Sequence, residues 1–191
     1  MNLNLIGIAG TNGSGKDTLG HMLAERHGFL FVSVTDLLRN EAKRRGLVIE
    51  REVLSSISAE WRRENGLGVL IDKALQHYEL TKDQYKGLAI ASLRNFGEAD
   101  RVHELGGRVV WVDAEVGIRY QRVNSRQRTT EDAKTFQQFK DEEAAEMHRT
   151  KGADSATLDV SEVKDRSDIT IVNNDNVVEA FKDQAEQILG L

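Results

Sequence analysis

Leu3-Asn4-Leu5-Ile6-Gly7-Ile8-Ala9 runs directly into Gly10-Thr11-Asn12-Gly13-Ser14-Gly15-Lys16-Asp17-Thr18, and the join between the two stretches decides the fold. The first is short, apolar and ended by glycine, as a buried strand of a parallel sheet is. The second has the spacing Gly-x-x-x-x-Gly-Lys, which lets backbone N–H groups turn inward around an anion. Gly10, Gly13 and Gly15 permit the tight turns. A helix opening near Lys16 adds the positive end of its dipole and the lysine ammonium. The stretch therefore predicts a loop for a nucleoside triphosphate, formed by Gly10, Thr11, Asn12, Gly13, Ser14, Gly15, Lys16, Asp17 and Thr18. One position departs from the usual pattern: Asp17 stands where a Ser or Thr hydroxyl ordinarily meets Mg2+.

Outward from this join, strand-like apolar runs alternate with helical patterns, which predicts an α/β domain with a parallel sheet covered on both faces. The candidate strands are Leu3–Ala9, Phe29–Val34, Leu88–Leu93, Val109–Asp113 and Ile169–Val172. The first helix is expected over Lys16–Arg26 with Gly28 as its stop. Residues 36–78 read as a helical insertion broken at Gly46 and at Gly66-Leu67-Gly68, and 116–150 as a second, polar one. A last amphipathic helix places Val177, Phe181, Ala185 and Ile188 on one face. Residues 1–35, 79–115 and 151–191 then form the core of one domain spanning 1–191.

Composition narrows the function classes. The formal charge of −5 argues against a nucleic-acid partner, which calls for a clustered basic footprint. With no cysteine there is neither a disulfide framework nor a thiolate metal site, and the five histidines have no ligand spacing. The only N-terminal apolar run is of strand length, so neither a membrane span nor a signal peptide is expected, and a cytoplasmic location follows by default. The Asn-Lys-x-Asp guanine reader of GTP-dependent switches is absent from the chain.

The remaining candidate residues lie where strands end. Carboxyl ends of neighbouring parallel strands open onto one crevice. Asp36 and Arg39 follow the second strand: Asp36 could orient or deprotonate an acceptor or hold the water shell of a metal, or it could simply cap its helix. Arg39 and Arg94, the latter just past the third strand, suit phosphate clamping. Arg119, Arg122 and Arg126 share a helix face at i, i+3 and i+7, with Arg128 beyond. Such a stripe suits a lid that closes over transferring phosphates. Asp17 could hold Mg2+ through its carboxylate, since Mg2+ takes hard oxygen ligands and keeps several waters, or could only favour the helix dipole.

Taken in order, these segments resemble the nucleoside-monophosphate-kinase branch of the P-loop phosphotransferases over nearly the whole chain. Asp36-Leu37-Leu38-Arg39-Asn40-Glu41-Ala42-Lys43-Arg44-Arg45-Gly46-Leu47 and Arg62-Arg63-Glu64-Asn65-Gly66-Leu67-Gly68 are most similar to uncharacterised dephospho-CoA-kinase-like and adenylate-kinase-like proteins. The loop variant Gly-Lys-Asp-Thr resembles phage-type deoxynucleoside-monophosphate kinases. The resemblance implies a five-stranded sheet in the order 2-3-1-4-5. It also implies ATP as donor with Mg2+, Lys16 at the donor phosphates, and Arg39 and Arg94 on the acceptor phosphate. Arg122, Arg126 and Arg128 would act from the lid, and Asn173 to Asn176, with Asn174 among the ATP contacts, would lie near the donor base. Many such kinases end strand three with Asp-Gly; Ala91-Ser92 stand here instead. That exchange suggests that the metal-organising carboxylate has moved to Asp17, with Asp36 as the second candidate. The alternative is that catalysis has weakened and only ATP binding remains. The expected activity is transfer of the γ-phosphoryl group to a nucleoside or deoxynucleoside monophosphate, with dephospho-CoA as the competing acceptor.

Overall fold

A computed structural model describes residues 4–126, 135–148 and 152–191. Its five strands are β1 (Leu5–Gly10), β2 (Phe29–Ser33), β3 (Gly87–Leu93), β4 (Arg108–Asp113) and β5 (Ile169–Val172). They form one sheet in the order β2-β3-β1-β4-β5, parallel throughout. This is the predicted order, and it places β1 centrally, so that the loop leaving β1 opens at the middle of the carboxyl edge.

Strand side chains alternate between two cores, as a period of two requires. Leu5, Leu88, Ile90, Val109 and Trp111 face one layer, with Leu38 and Ala42 of helix α2 (Val34–Arg44) and Val69, Leu70 and Ala74 of α4 (Val69–Glu79). Ile6, Ile8, Ala89, Val110, Val112 and Ile171 face the other, against Leu19, Met22 and Leu23 of α1 (Lys16–His27) and Phe181 of α9 (Val178–Leu189). Leu19, Met22 and Leu23 are fully buried, each worth about 1.5–3 kcal/mol of apolar transfer.

The first insertion holds α2, α3 (Arg51–Asn65) and α4, parted near the glycines that predicted the breaks. Helix α2 begins at Val34, two residues earlier than expected, so β2 ends at Ser33 and Asp36 lies in the first turn rather than at the cap. Two helices went unpredicted: α5 (Phe96–Glu104) after β3 and the short α8 (Val160–Asp165) before β5. Helices α6 (Val116–Arg126) and α7 (Phe136–Met147) lie in the second insertion. In α9 the buried stripe is Phe181, Ala185 and Leu189, whereas Val177 and Ile188 are exposed. Val177 precedes the helix and escapes its period, and Ile188, seven residues from Phe181, falls on the margin of the buried arc.

Candidate active site

The phosphate loop forms as its glycines dictate. Gly13 has φ 82° and a Cβ there would meet the Arg119 carbonyl at 2.6 Å; Gly15 has φ 106° and a Cβ would meet Asn173 Nδ2 at 2.3 Å. Both conformation and space exclude any side chain. Lys16, the first residue of α1, is buried and its Nζ donates to the Thr11 carbonyl at 2.7 Å. The hydroxyls of Thr11 and Ser14 are buried without a hydrogen-bonding partner among the described residues. An unsatisfied buried hydroxyl costs about 1–3 kcal/mol, and two of them in the one loop fit a ligand rich in acceptor oxygens. Mg2+ at nucleotide sites is usually held by one or two carboxylates together with substrate phosphates, and two carboxylates stand at this edge of the sheet. Asp17 is the second residue of α1, partly exposed at the loop, and Asp36 lies at the start of α2 on the same edge of the sheet. Among the described residues no three His, Cys, Asp or Glu side chains gather into a cluster that could hold a metal without phosphate.

Asn173 locks the loop from the far side. Its Nδ2 donates to the Ser14 carbonyl at 2.8 Å, while its backbone N–H donates to Asp113 at the end of β4 at 2.7 Å. Arg122 reaches the same place, donating to the carbonyls of Asn173 and Asp175 at 3.0 and 2.6 Å. Asn174 instead holds the start of α6, its Oδ1 accepting from the Glu115 N–H at 2.8 Å.

The end of β3 carries the second half of the site. The register between β1 and β3 skips a residue: Ile8 faces Ala91 and Ala9 faces Leu93. The residue passed over, Ser92, has φ 73°, the left-handed region that a non-glycine residue seldom occupies. This is the position at which the resemblance leads one to expect glycine. The backbone at Ser92 thus holds a glycine-like conformation, while the acid of the Asp-Gly pair is absent.

Arg94 leaves this bend into an open cleft of about 390 Å³, lined by Gly10, Thr11 and Asn12 of the loop, by Arg51, and by Phe139, Glu142, Glu143 and Glu146 of α7. Two guanidiniums converge there on one carboxylate: Arg94 lies 2.9 Å from Glu146 Oε2 and Arg51 3.0 Å from Oε1. Arg51 also reaches Glu142 at 3.1 Å. Arg119, buried, donates to Glu143 and to the Ala114 carbonyl. Burial alone would push the Glu146 carboxyl up, but the Arg94 and Arg51 guanidiniums, with Lys16 further off, outweigh it and hold the group below the usual carboxylate range.

The predicted residues are thus divided. The structure groups the phosphate loop with Arg94 at one cleft, and sets Arg122 at the back of the loop. Arg39 is not among the residues lining this cleft; it pairs with Asp36, one helical turn away, at 2.9 Å on an exposed face. The three-arginine stripe also splits, Arg119 turning to α7 and Arg122 to the β5–α9 turn. Arg126 ends α6 with its side chain outside the described residues, as is all of Arg128. Arg51 and the acidic face of α7 were missed. One signal for Arg51 was available: it is the first residue of α3, where the helix dipole disfavours a cation, and such a local conflict points to another use.

A P-loop kinase fold is defined by this sheet order, the loop after β1 and the helical insertions. The chain matches the family described as AAA domain over residues 6–149 and belongs to that family. It is 29% identical over 191 residues to a UPF0200 protein of Pyrobaculum aerophilum, covering 98% of this chain and 97% of that one. Among solved structures it is similar to shikimate kinase from Bacteroides thetaiotaomicron, with TM-score 0.61, 13% identity and coverage of 98% and 99% of the two chains. A shikimate kinase from Acinetobacter baumannii in complex with shikimate superposes with TM-score 0.53 at 19% identity, covering 98% and 91%. At these identities the likeness concerns the fold. Among the described residues no helix is long and apolar enough to cross a membrane.

Proposed function

We propose that this protein is an ATP-dependent phosphotransferase that moves the γ-phosphoryl group onto a small acceptor which itself carries phosphate, a nucleoside or deoxynucleoside monophosphate. The observation that carries this reading is the meeting of Arg51 and Arg94 on the Glu146 carboxylate beside the phosphate loop. Two guanidiniums arranged around one carboxylate make an anion site, and a phosphate dianion offers them more charge and a third oxygen. Glu146 in this view stands where the acceptor phosphate binds.

Phosphoryl transfer asks little covalent chemistry of a protein; positioning and charge neutralisation supply most of the acceleration. Lys16 and the loop amides would hold the donor phosphates, with the Thr11 and Ser14 hydroxyls finding acceptors there. Arg122 would keep the loop and the β5–α9 turn together, with Asn174 and its neighbours beside the donor base. Asp17, and Asp36 through water, would hold Mg2+, which when bound neutralises charge on the donor phosphates. The missing acid at Ala91-Ser92 supports this role for Asp17. Arg94 and Arg51, rather than Arg94 and Arg39, would clamp the acceptor.

An assay of ADP release with Mg2+, ATP and a panel of ribo- and deoxynucleoside monophosphates, dephospho-CoA and shikimate tests the reading. Turnover with a monophosphate, lost in Arg94→Ala, is expected. Turnover with dephospho-CoA or shikimate alone would replace it by a hydroxyl acceptor. Asp36, whose carboxylate is oriented by Arg39, would then serve as base, and Asp36→Asn would lose turnover while keeping binding. Stabilisation by ATP without any product would leave a nucleotide-binding module.

A further inference from the structure

We infer that the buried ion pair Arg62–Glu98 is a positioning device that sets Arg51 and Arg94 at their working separation; the inference rests on the acceptor site proposed above. Both side chains are sealed from solvent, with 1% and 0% of their surface exposed. Arg62 Nε and one terminal nitrogen donate to Glu98 Oε1 at 3.2 and 2.6 Å. The other terminal nitrogen donates to the Ala156 carbonyl at 3.0 Å and to Ser58 Oγ at 3.2 Å. The second carboxylate oxygen, Oε2, accepts the backbone N–H of Arg94 at 2.7 Å and of Asn95 at 3.2 Å. One carboxylate therefore ties α3 to the backbone of a clamp residue.

The other clamp residue is on the same rod. Arg51 opens α3 and Arg62 lies in its last turn, about 16 Å along a helix at 1.5 Å per residue. Anchoring Arg62 thus sets where the Arg51 end of α3 lies relative to the end of β3. That end needs outside support, because Ser92 holds a left-handed φ of 73°, and such conformations persist only where their surroundings over-determine them. Asn95 extends the network, its Nδ2 donating to the Ser155 and Thr157 carbonyls at 2.8 and 2.9 Å, while the Asp159 N–H donates to the Arg94 carbonyl at 3.0 Å. Stability alone is a poor account of the pair, since buried ion pairs gain little over well-packed apolar residues. A forked guanidinium against a fixed carboxylate does fix direction, which an apolar contact does not.

The test uses the neutral double variant Arg62→Met/Glu98→Gln, which leaves no uncompensated buried charge and keeps an amide oxygen for the Arg94 and Asn95 N–H groups. Arg62→Lys is its partner, retaining charge without the fork. The readings are the Nε–H NMR resonances of Arg51 and Arg94 in the free protein, and KM for ATP and for the best monophosphate of the panel. In the folded double variant both resonances move, acceptor KM rises about ten- to a hundredfold and ATP KM stays within about twofold, with Arg62→Lys between it and wild type. Unmoved resonances with unchanged acceptor KM would overturn the inference, as would ATP and acceptor affinities falling together. If the double variant does not fold, Arg62→Lys decides by the same readings. A wild-type protein that phosphorylates no monophosphate sinks the acceptor reading instead, and the two resonances still decide the positioning role.

Discussion

The phosphate loop and the two-arginine cleft lie side by side at one edge of the sheet, yet they are built in opposite ways. The loop draws on contiguous residues, and its shape is set by glycines at positive φ angles that other residues seldom hold. The cleft takes Arg51 from α3, Arg94 from the bend after β3 and Glu146 from α7, and its shape is set by ionic contacts between distant segments. A site made of backbone is encoded locally. A site made of long charged side chains exists only where the fold brings them together.

The largest effect should come from the donor side. Lys16→Ala is expected to lower turnover by about 10²–10³-fold, the scale of removing one preorganised donor from a developing charge, with acceptor affinity little changed in equilibrium binding. Loss of acceptor binding to the same degree would erase the division between the halves. Next is the acceptor side. Arg94→Ala should raise acceptor KM about a hundredfold, the loss expected when a desolvated charge partner is truncated, and Arg51→Ala about tenfold, both with ATP KM nearly constant. Arg39→Ala should cost less than Arg51→Ala; the reverse order would return the clamp to α2.

A smaller effect concerns the metal. Asp17→Asn should raise the Mg2+ concentration for half-maximal rate by about tenfold, and an unchanged Mg2+ titration would remove Asp17 from the metal site. The smallest is at Glu146. Glu146→Gln removes the internal competitor for the acceptor phosphate, so acceptor KM should fall by about two- to threefold, a few tenths of a kcal/mol. Its cost in stability has a defined pH dependence. Against the upward push of burial, Arg94 and Arg51 hold the folded carboxyl low. The ionised group therefore contributes stability at neutral pH, and that contribution is lost as pH falls through the depressed folded value. In urea titrations the gap between wild type and Glu146→Gln should be widest above about pH 5 and close in acid. A gap that widens in acid would show that the Arg51–Glu146–Arg94 contact does not hold in solution.

How much could be read beforehand follows the same division. All five strands were legible, because buried parallel strands are short apolar runs, whereas their order rested on the family resemblance. Arg94 was legible as the residue just past β3. Arg39 lies near a strand end in sequence, but in the fold it is not among the residues lining the cleft and its contact is with Asp36, three residues before it. Arg51 offered only the weak signal of a cation at a helix start. Arg62 and Glu98 carry no local signal in the sequence, since nothing local distinguishes a glutamate that caps its own helix from one that also takes a buried arginine.

By itself the sequence determined the phosphate loop, the parallel sheet beneath it and the missing acid after the third strand, since these depend on backbone conformation and on residue type at a single place. Only the tertiary structure decided which arginines share the cleft, that Ser92 keeps a glycine-like bend, and that a buried ion pair joins α3 to Arg94. The physical reason is reach. Backbone geometry is settled within a few residues, whereas a guanidinium on a flexible stem pairs with whichever carboxylate the packing of remote helices brings within about 3 Å.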